Sequence, residues 1–132
     1  MATLTATLTL ASPAGGISSD ALAITQENSL LVAPPNIGIS RVATEVSGGS
    51  DIVIKPAGST GNHYLYVKHT GLQGDGVTEA TAAVILKLGS SSLSVMVPGE
   101  WCFFNVINSG VINAASSGAE TLLVEYGYWT KS

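Results

Sequence analysis

Apolar and polar residues alternate in three segments of the chain. In residues 2–11, leucine and alanine occupy every second position and threonine occupies the positions between them. Residues 63–69 and 121–130 alternate in a similar way. Because successive side chains of a β-strand point to opposite faces, this period of two predicts three strands, the first of them half-buried.

Two further segments are apolar on both of their faces. Residues 81–88 have this pattern, which is typical of a strand that is covered on both sides. Residues 100–107 follow the dipeptide Pro98-Gly99, which favours a tight turn because proline fixes φ and glycine permits positive φ. We expect this second strand to be covered by the other sheet on one side and by a loop or a neighbouring subunit on the other.

Trp101 is the largest side chain of that second segment. In a strand it shares a face with Phe103, while Cys102 shares the opposite face with Phe104 and Val106. We therefore predict that Trp101 anchors the packing of this strand.

Glycine, proline and asparagine divide the rest of the chain. Residues 22–32 are ambiguous between two short strands and an irregular crossing, with Asn28 as the interruption, and residues 33–36 are expected to end the segment because they contain two prolines. The best local helix candidate is 114–120. The remaining predicted elements are strands at 37–46, 52–54 and 93–97, a short element near 111–112, a turn at 47–51 and a loop at 71–76.

These segments amount to eight to ten short strands separated by turn residues. Such spacing is typical of an all-β fold, an antiparallel two-sheet β-sandwich of jelly-roll-like type. We expect residues 1–132 to form a single β-sandwich domain, with strand 2–11 as a candidate arm.

Composition adds a reason to expect partners. Among 132 residues, 45% are hydrophobic and only 11% are charged, and the mean hydropathy is +0.39. An average soluble domain has roughly 25% charged residues. The surface is therefore either polar without charge or partly buried by other subunits, and we favour the second interpretation, a homo-oligomer.

The charge pattern excludes some classes of partner. The net charge is −4, and the five basic residues are scattered, with none before Arg41. Nucleic-acid binding needs clustered cations, so we expect no direct nucleic-acid contact. No apolar run reaches the length of a membrane-spanning helix, and no basic segment precedes an apolar one, so we expect neither a membrane partner nor a signal peptide.

Candidate catalytic or metal-binding residues are few. His63 and His69 share a strand face but lie roughly 20 Å apart, too far to bind one metal ion. Cys102 has apolar neighbours that would not stabilise a thiolate. Asp75 and Glu79 suit an ordinary turn better than a calcium loop. We expect no enzyme activity, no cofactor and no metal.

Aromatic residues are the remaining candidates, since they are favoured at the cores of protein interfaces. Each of them also fits a sandwich core. The interface candidates are Tyr64, Tyr66, Trp101, Tyr126, Tyr128 and Trp129.

The chain contains, in order, the strands ATLTATLTL, HYLYVKHTG and AAVILKLG, the turn VPGEWCFF and the closing TLLVEYGYWTK. This arrangement resembles small β-sandwich structural proteins of tailed-bacteriophage virions, of the capsid decoration or cement type. The resemblance is clearest over 63–131. It implies a homo-oligomer, with a trimer as the first expectation, and the major capsid protein or other virion subunits as partners. It also implies location in a virion assembled in the host cytoplasm.

Three alternatives remain open at this point. One is a tail, neck or baseplate component of the same particles. Another is a carbohydrate- or host-binding β-sandwich module whose aromatic residues stack on sugars. A small hydrolase or cupin-like enzyme is the third, and it lacks a visible metal or acid pair.

Overall fold

A computed structural model describes residues 2–16, 20–43, 51–58, 61–107 and 109–132, without the side chains of 34–38. Within these residues the secondary structure is β throughout. The nine strands of the described residues are β1 (Ala2–Ser12), β2 (Leu22–Ala43), β3 (Ile52–Lys55), β4 (His63–Gln73), β5 (Val84–Leu88), β6 (Ser91–Met96), β7 (Trp101–Val106), β8 (Ile112–Ser116) and β9 (Leu122–Lys131).

The strands form two antiparallel sheets. One sheet has the order β1-β2-β9-β4-β7, and the other has the order β3-β8-β5-β6. The two sheets pack against each other, which confirms the prediction of an all-β, antiparallel two-sheet sandwich.

The chain divides into two compact units, residues 1–33 with 132 and residues 34–131. In the first unit β1 pairs with the beginning of β2 over eleven consecutive residue pairs, from Ala2 opposite Val32 to Ser12 opposite Leu22. The predicted first strand is thus confirmed, but it is not half-buried, because none of its residues is buried and most are exposed. A single domain over 1–132 and an arm at 2–11 stay predictions.

The second unit contains the apolar core. The period of two in β4 and β9 places Leu65, Val67 and Val124 on the inner face, where they are fully buried. They belong to one core cluster with residues of the other sheet, among them Val84, Leu86, Met96, Ile112 and Ala114.

The turn at Pro98-Gly99 is confirmed. The amide of Glu100 donates to the carbonyl of Val97 over 3.0 Å, and Gly99 has a φ of 89°. Proline at the second position and a glycine with positive φ at the third are the requirements of a type II turn. This turn connects β6, at the edge of one sheet, to β7, at the edge of the other.

Other boundaries differ from those predicted. β2 continues through Asn28, which pairs with Ala6, and through Pro34 and Pro35. A proline lacks only its own amide donor, and its fixed φ is compatible with an extended strand. The helix candidate 114–120 is wrong, because its first three residues are in β8 and the rest form bends.

Three further boundaries shift by a few residues. β4 extends to Gln73, into the predicted loop 71–76, and β5 begins at Val84, three residues later than predicted. The predicted strand 37–46 is seen to Ala43, and its last three residues and the turn at 47–50 lie outside the described residues.

Candidate interaction surface

An aromatic surface covers the outer face of β9, β4 and β7. Directly opposite residues of antiparallel strands lie on the same face of a sheet. Tyr66 pairs with Phe103 on β7, Tyr64 pairs with Trp129 on β9, and Lys68 pairs with Trp101 on β7. We call this set the aromatic face: Tyr64, Tyr66, Trp101, Phe103 and Trp129.

Side chains of the aromatic face contact one another. The rings of Tyr64 and Phe103 are stacked, with centroids 6.0 Å apart and planes inclined by 10°. The ammonium of Lys131 lies 5.0 Å from the centroid of the Tyr64 ring, within the range of a cation–π interaction. The rings of Tyr64 and Phe103 are thus parallel neighbours on this face, and both side chains are partly exposed.

Two side-chain hydrogen bonds to Glu125 border the aromatic face. The Tyr66 hydroxyl donates to Glu125 Oε1 over 3.3 Å, and Arg41 Nε donates to Glu125 Oε2 over 3.2 Å. Burial, followed by the charge of Glu125, raises the pKa of Tyr66. Tyr66 therefore remains a neutral donor at physiological pH and fixes the Glu125 carboxylate beside the rings.

Trp101 is the most open residue of this face. It is 55% exposed, so the prediction that it anchors packing within the chain is wrong. The reason is its place on β7, an edge strand whose outer side no other element of the described chain covers. Only the other side of β7 meets the core, through half-buried Cys102 and Phe104 and buried Val106.

The six interface candidates divide between the two faces of the sheet. Tyr64, Tyr66, Trp101 and Trp129 lie on the aromatic face, whereas Tyr126 and Tyr128 pack against the core. The Tyr128 ring meets His63 edge-on, with centroids 5.8 Å apart. The alternation along β9 signals this division, since it puts Tyr126 and Tyr128 on the face of Leu122 and Val124.

Sequence reasoning did not select Phe103 as an interface candidate. Its position two residues after Trp101 was the available signal, because residues two apart in a strand share a face.

Both histidines have structural surroundings. His69 Nε2 lies 3.0 Å from the Ala82 carbonyl, and its Nδ1 accepts the Gly71 amide over 3.1 Å. His63 is 2% exposed, and its Nδ1 has no hydrogen-bond partner. Burial, followed by the nearby charge of Lys55, lowers the pKa of His63, so the ring is neutral at pH 7.

Lys55 is an unexpected buried cation. Its side chain is fully buried, and Nζ donates to the carbonyls of Pro56 at 3.0 Å and Gly110 at 2.8 Å. Burial lowers the pKa of Lys55. These bonds tie the end of β3 to the segment before β8. A lone lysine in a short strand gives no sequence signal of this role.

The remaining candidate chemical groups serve local structure. Burial raises the pKa of the Cys102 thiol to about 11, so it is protonated at neutral pH and is a poor nucleophile. Asp75 accepts the amides of Val77 and Thr78, each over 2.9 Å, as in an ordinary turn. Glu120 likewise accepts the Thr81 amide over 2.8 Å.

In the part of the chain that the structure describes, no three His, Cys, Asp or Glu side chains are grouped to hold a metal ion. Nor does that part contain a helix long and apolar enough to cross a membrane.

Comparison with known proteins identifies no relative. No protein-family model matches the chain, and no curated protein is significantly similar to it. A cluster of partly exposed aromatic rings is suited to packing against another apolar or planar surface.

Proposed function

We propose that this chain is a structural subunit that acts by packing on other protein subunits, and that it belongs to a virion as a capsid decoration or cement protein. The aromatic face carries the proposal. Aromatic residues concentrate at the centres of protein interfaces, where charged residues are depleted. Trp101, more than half exposed on an uncharged edge strand, is the strongest anchor candidate of this face.

The groove beside Trp101 supports this proposal. It is lined by residues from both edge strands and the turn between them, including Ser94, Val95, Met96, Gly99 and Glu100. Val95 and Val97 are 59% and 52% exposed. An uncharged edge with exposed apolar side chains is a template for pairing with another chain unless a partner covers it. A subunit that bridges neighbouring subunits of a shell would cover it.

Partner identity and stoichiometry follow from the resemblance rather than from the surface. The resemblance gives the major capsid protein as the partner and a trimer as the first expected oligomer. Many copies, each making modest contacts, would stabilise a shell through avidity.

The same aromatic face favours a second candidate, a carbohydrate-binding module. Exposed aromatic rings can stack on the faces of sugar rings, and the carboxylate of Glu125 lies beside Tyr66 as a hydrogen-bond acceptor for hydroxyl groups. Protein packing is preferred because the exposed apolar residues continue beyond the rings along β6.

Immunogold electron microscopy of phage particles from a lysate containing the chain tests the proposal. Antibody against the chain should label the head surface at regular positions. Label on tails or baseplates would place the chain elsewhere in the particle and contradict the decoration role. An absence of label on any particle would contradict the virion proposal as a whole.

Surface variants then test the aromatic face. The double variant Trp101→Ser with Trp129→Ser should lose co-sedimentation with particles stripped of the chain, while Val77→Ser should retain it. Val77 is a suitable control because it is 81% exposed in a loop. Dichroism spectra should show that all variants fold. The carbohydrate-binding candidate would be supported instead if the parent protein bound a glycan array but not particles, and if Trp129→Ser abolished the glycan binding.

A further inference from the structure

The β1–β2 hairpin has one apolar and one threonine-rich face. Its register places Leu8 opposite Gln26, Leu10 opposite Ile24 and Thr7 opposite Glu27. The apolar face is formed by Leu4, Ala6, Leu8, Leu10, Leu22, Ile24 and Leu30, together with Ser12, Gln26 and Asn28. We call this set the hairpin face.

The hairpin face is exposed towards the connection between β1 and β2, whereas Leu30 at its other end is only 8% exposed. Leu8 is 42% exposed, Leu10 is 45% exposed and Ile24 is 39% exposed. A two-stranded hairpin is a single layer and is at best marginally stable in water unless its apolar face packs on something. A regular ladder of eleven pairs with this composition therefore indicates that another surface covers it.

We propose that the hairpin face is covered by the same face of another copy of this chain. Charge supports this occupant. Glu27, the one charged residue in the paired segments 2–12 and 22–32, lies on the opposite face, across from Thr7. Two identical hairpin faces can therefore approach without opposing like charges. The amides of Gln26 and Asn28 both donate and accept hydrogen bonds, so they can pair with their own copies.

Other classes of partner fit less well. Residues 2–33 contain no lysine or arginine. Nucleic acids and anionic lipid surfaces are bound through clustered cations, which this segment does not supply.

The size of the hairpin face limits the expected affinity between two copies of the chain. Eleven residues at about 3.4 Å each give a length of about 37 Å, and two strands give a width of about 10 Å. The projected area is thus roughly 370 Å² per copy, below the roughly 800 Å² per partner of a standard interface. Side chains that stand out from the sheet increase the area that is lost on contact. We therefore expect a reversible oligomer with a dissociation constant on the order of micromolar.

Sedimentation velocity with the purified full chain tests this inference. At about 100 times a micromolar dissociation constant the parent protein should sediment with the mass of two copies, because a face that packs on its own copy closes a twofold pair. Leu8→Asp should shift the species to a monomer at the same concentration, and Thr9→Asp, its neighbour on the opposite face and across from Thr25, should leave the oligomer intact. A monomeric parent protein, or equal effects of the two substitutions, would overturn the inference.

A cross-linking experiment separates loss of contact from loss of folding. In a Cys102→Ser background, Leu8→Cys should form an intermolecular disulfide on mild oxidation, whereas Thr9→Cys should remain largely reduced. Equal cross-linking at both positions would overturn the hairpin face as the contact.

This inference adds a self-association surface to the proposed function, and it is tested without any particle. Oligomers in solution without particle labelling would contradict the virion proposal alone. Particle labelling by a chain that is monomeric in solution would overturn the hairpin inference alone.

Discussion

Trp101 shows how the position of a strand determines what a large apolar residue does. On an edge strand its indole loses little exposed surface on folding, and it is 55% exposed. Leu65 lies two positions after His63 on the inner face of β4, is fully buried and contributes to the core instead. The free energy of unfolding of the isolated chain depends mainly on buried residues such as Leu65.

Trp101→Ala should therefore change the free energy of unfolding by less than about 1 kcal/mol. Leu65→Ala should lower it by about 2–5 kcal/mol, because it removes buried apolar atoms and leaves a cavity. Urea unfolding of dilute protein measures both. Similar losses for the two variants would show that Trp101 is covered within a single chain.

His63 should make stability depend on pH. Its pKa is lowered in the folded protein by burial and by Lys55. Above about pH 6.5 the ring is neutral in both the folded and the unfolded chain. As the pH falls below that value, the unfolded chain binds a proton that the folded chain binds only at lower pH, so the free energy of unfolding decreases.

Urea unfolding at about pH 7.5 and about pH 5.5 should detect this loss in the parent protein, and the loss should be smaller in His63→Gln. Asp75 and Glu120 have lowered pKa values and lose their contributions only at more acidic pH, below the ordinary pKa values of about 3.9 for Asp and about 4.3 for Glu. An equal loss in both proteins would assign the effect to another group.

At the scale of elements, alternation predicted the positions of β1, β4 and β9, and β4 and β9 each have one buried face, whereas β1 is mostly exposed. The same rule could not predict the length of β2. Asn28 and Pro34 are both unfavourable in strands on average. Asn28 nevertheless pairs with Ala6 of β1, and the fixed φ of Pro34 is compatible with an extended strand. Four residues of the aromatic face were among the predicted interface candidates, but the pairing of β4 with β7 and β9 that brings them together could not be predicted from alternation alone.

The turn between β6 and β7 gives a prediction at this scale. A Cβ at Gly99 would meet no atom within 4 Å, yet its φ is 89°. Gly99→Ala should therefore lower the free energy of unfolding by about 1 kcal/mol through backbone strain alone. Gly99→Asn should cost less, because asparagine tolerates positive φ better. Thermal melting of the two variants compares them, and a larger loss for asparagine would contradict the strain argument.

On the scale of the whole molecule, stability should be unevenly distributed. β4 pairs with both β9 and β7 and supplies Leu65 and Val67 to the core, whereas β1 pairs only with β2 and is mostly exposed. Buried, doubly paired strands open only in global unfolding, and exposed edges open locally.

Amide hydrogen exchange in dilute protein should accordingly be slowest in β4 and much faster in β1. Raising the protein concentration should slow exchange in β1 and leave β4 unchanged if another copy covers the hairpin face. Rates in β1 as slow as those in β4 at low concentration would contradict this distribution.

The threonine and leucine alternation of β1 also bears on the fate of copies that find no partner. Residues 2–11 carry no charge and no proline, and short segments with these properties stack into cross-β fibrils. Overproduction of the chain without its partners should therefore yield aggregates that bind thioflavin T, and a lysine at Thr7 should suppress them. Synthesis of the chain in excess of its assembly sites should therefore favour aggregation through the edge of β1.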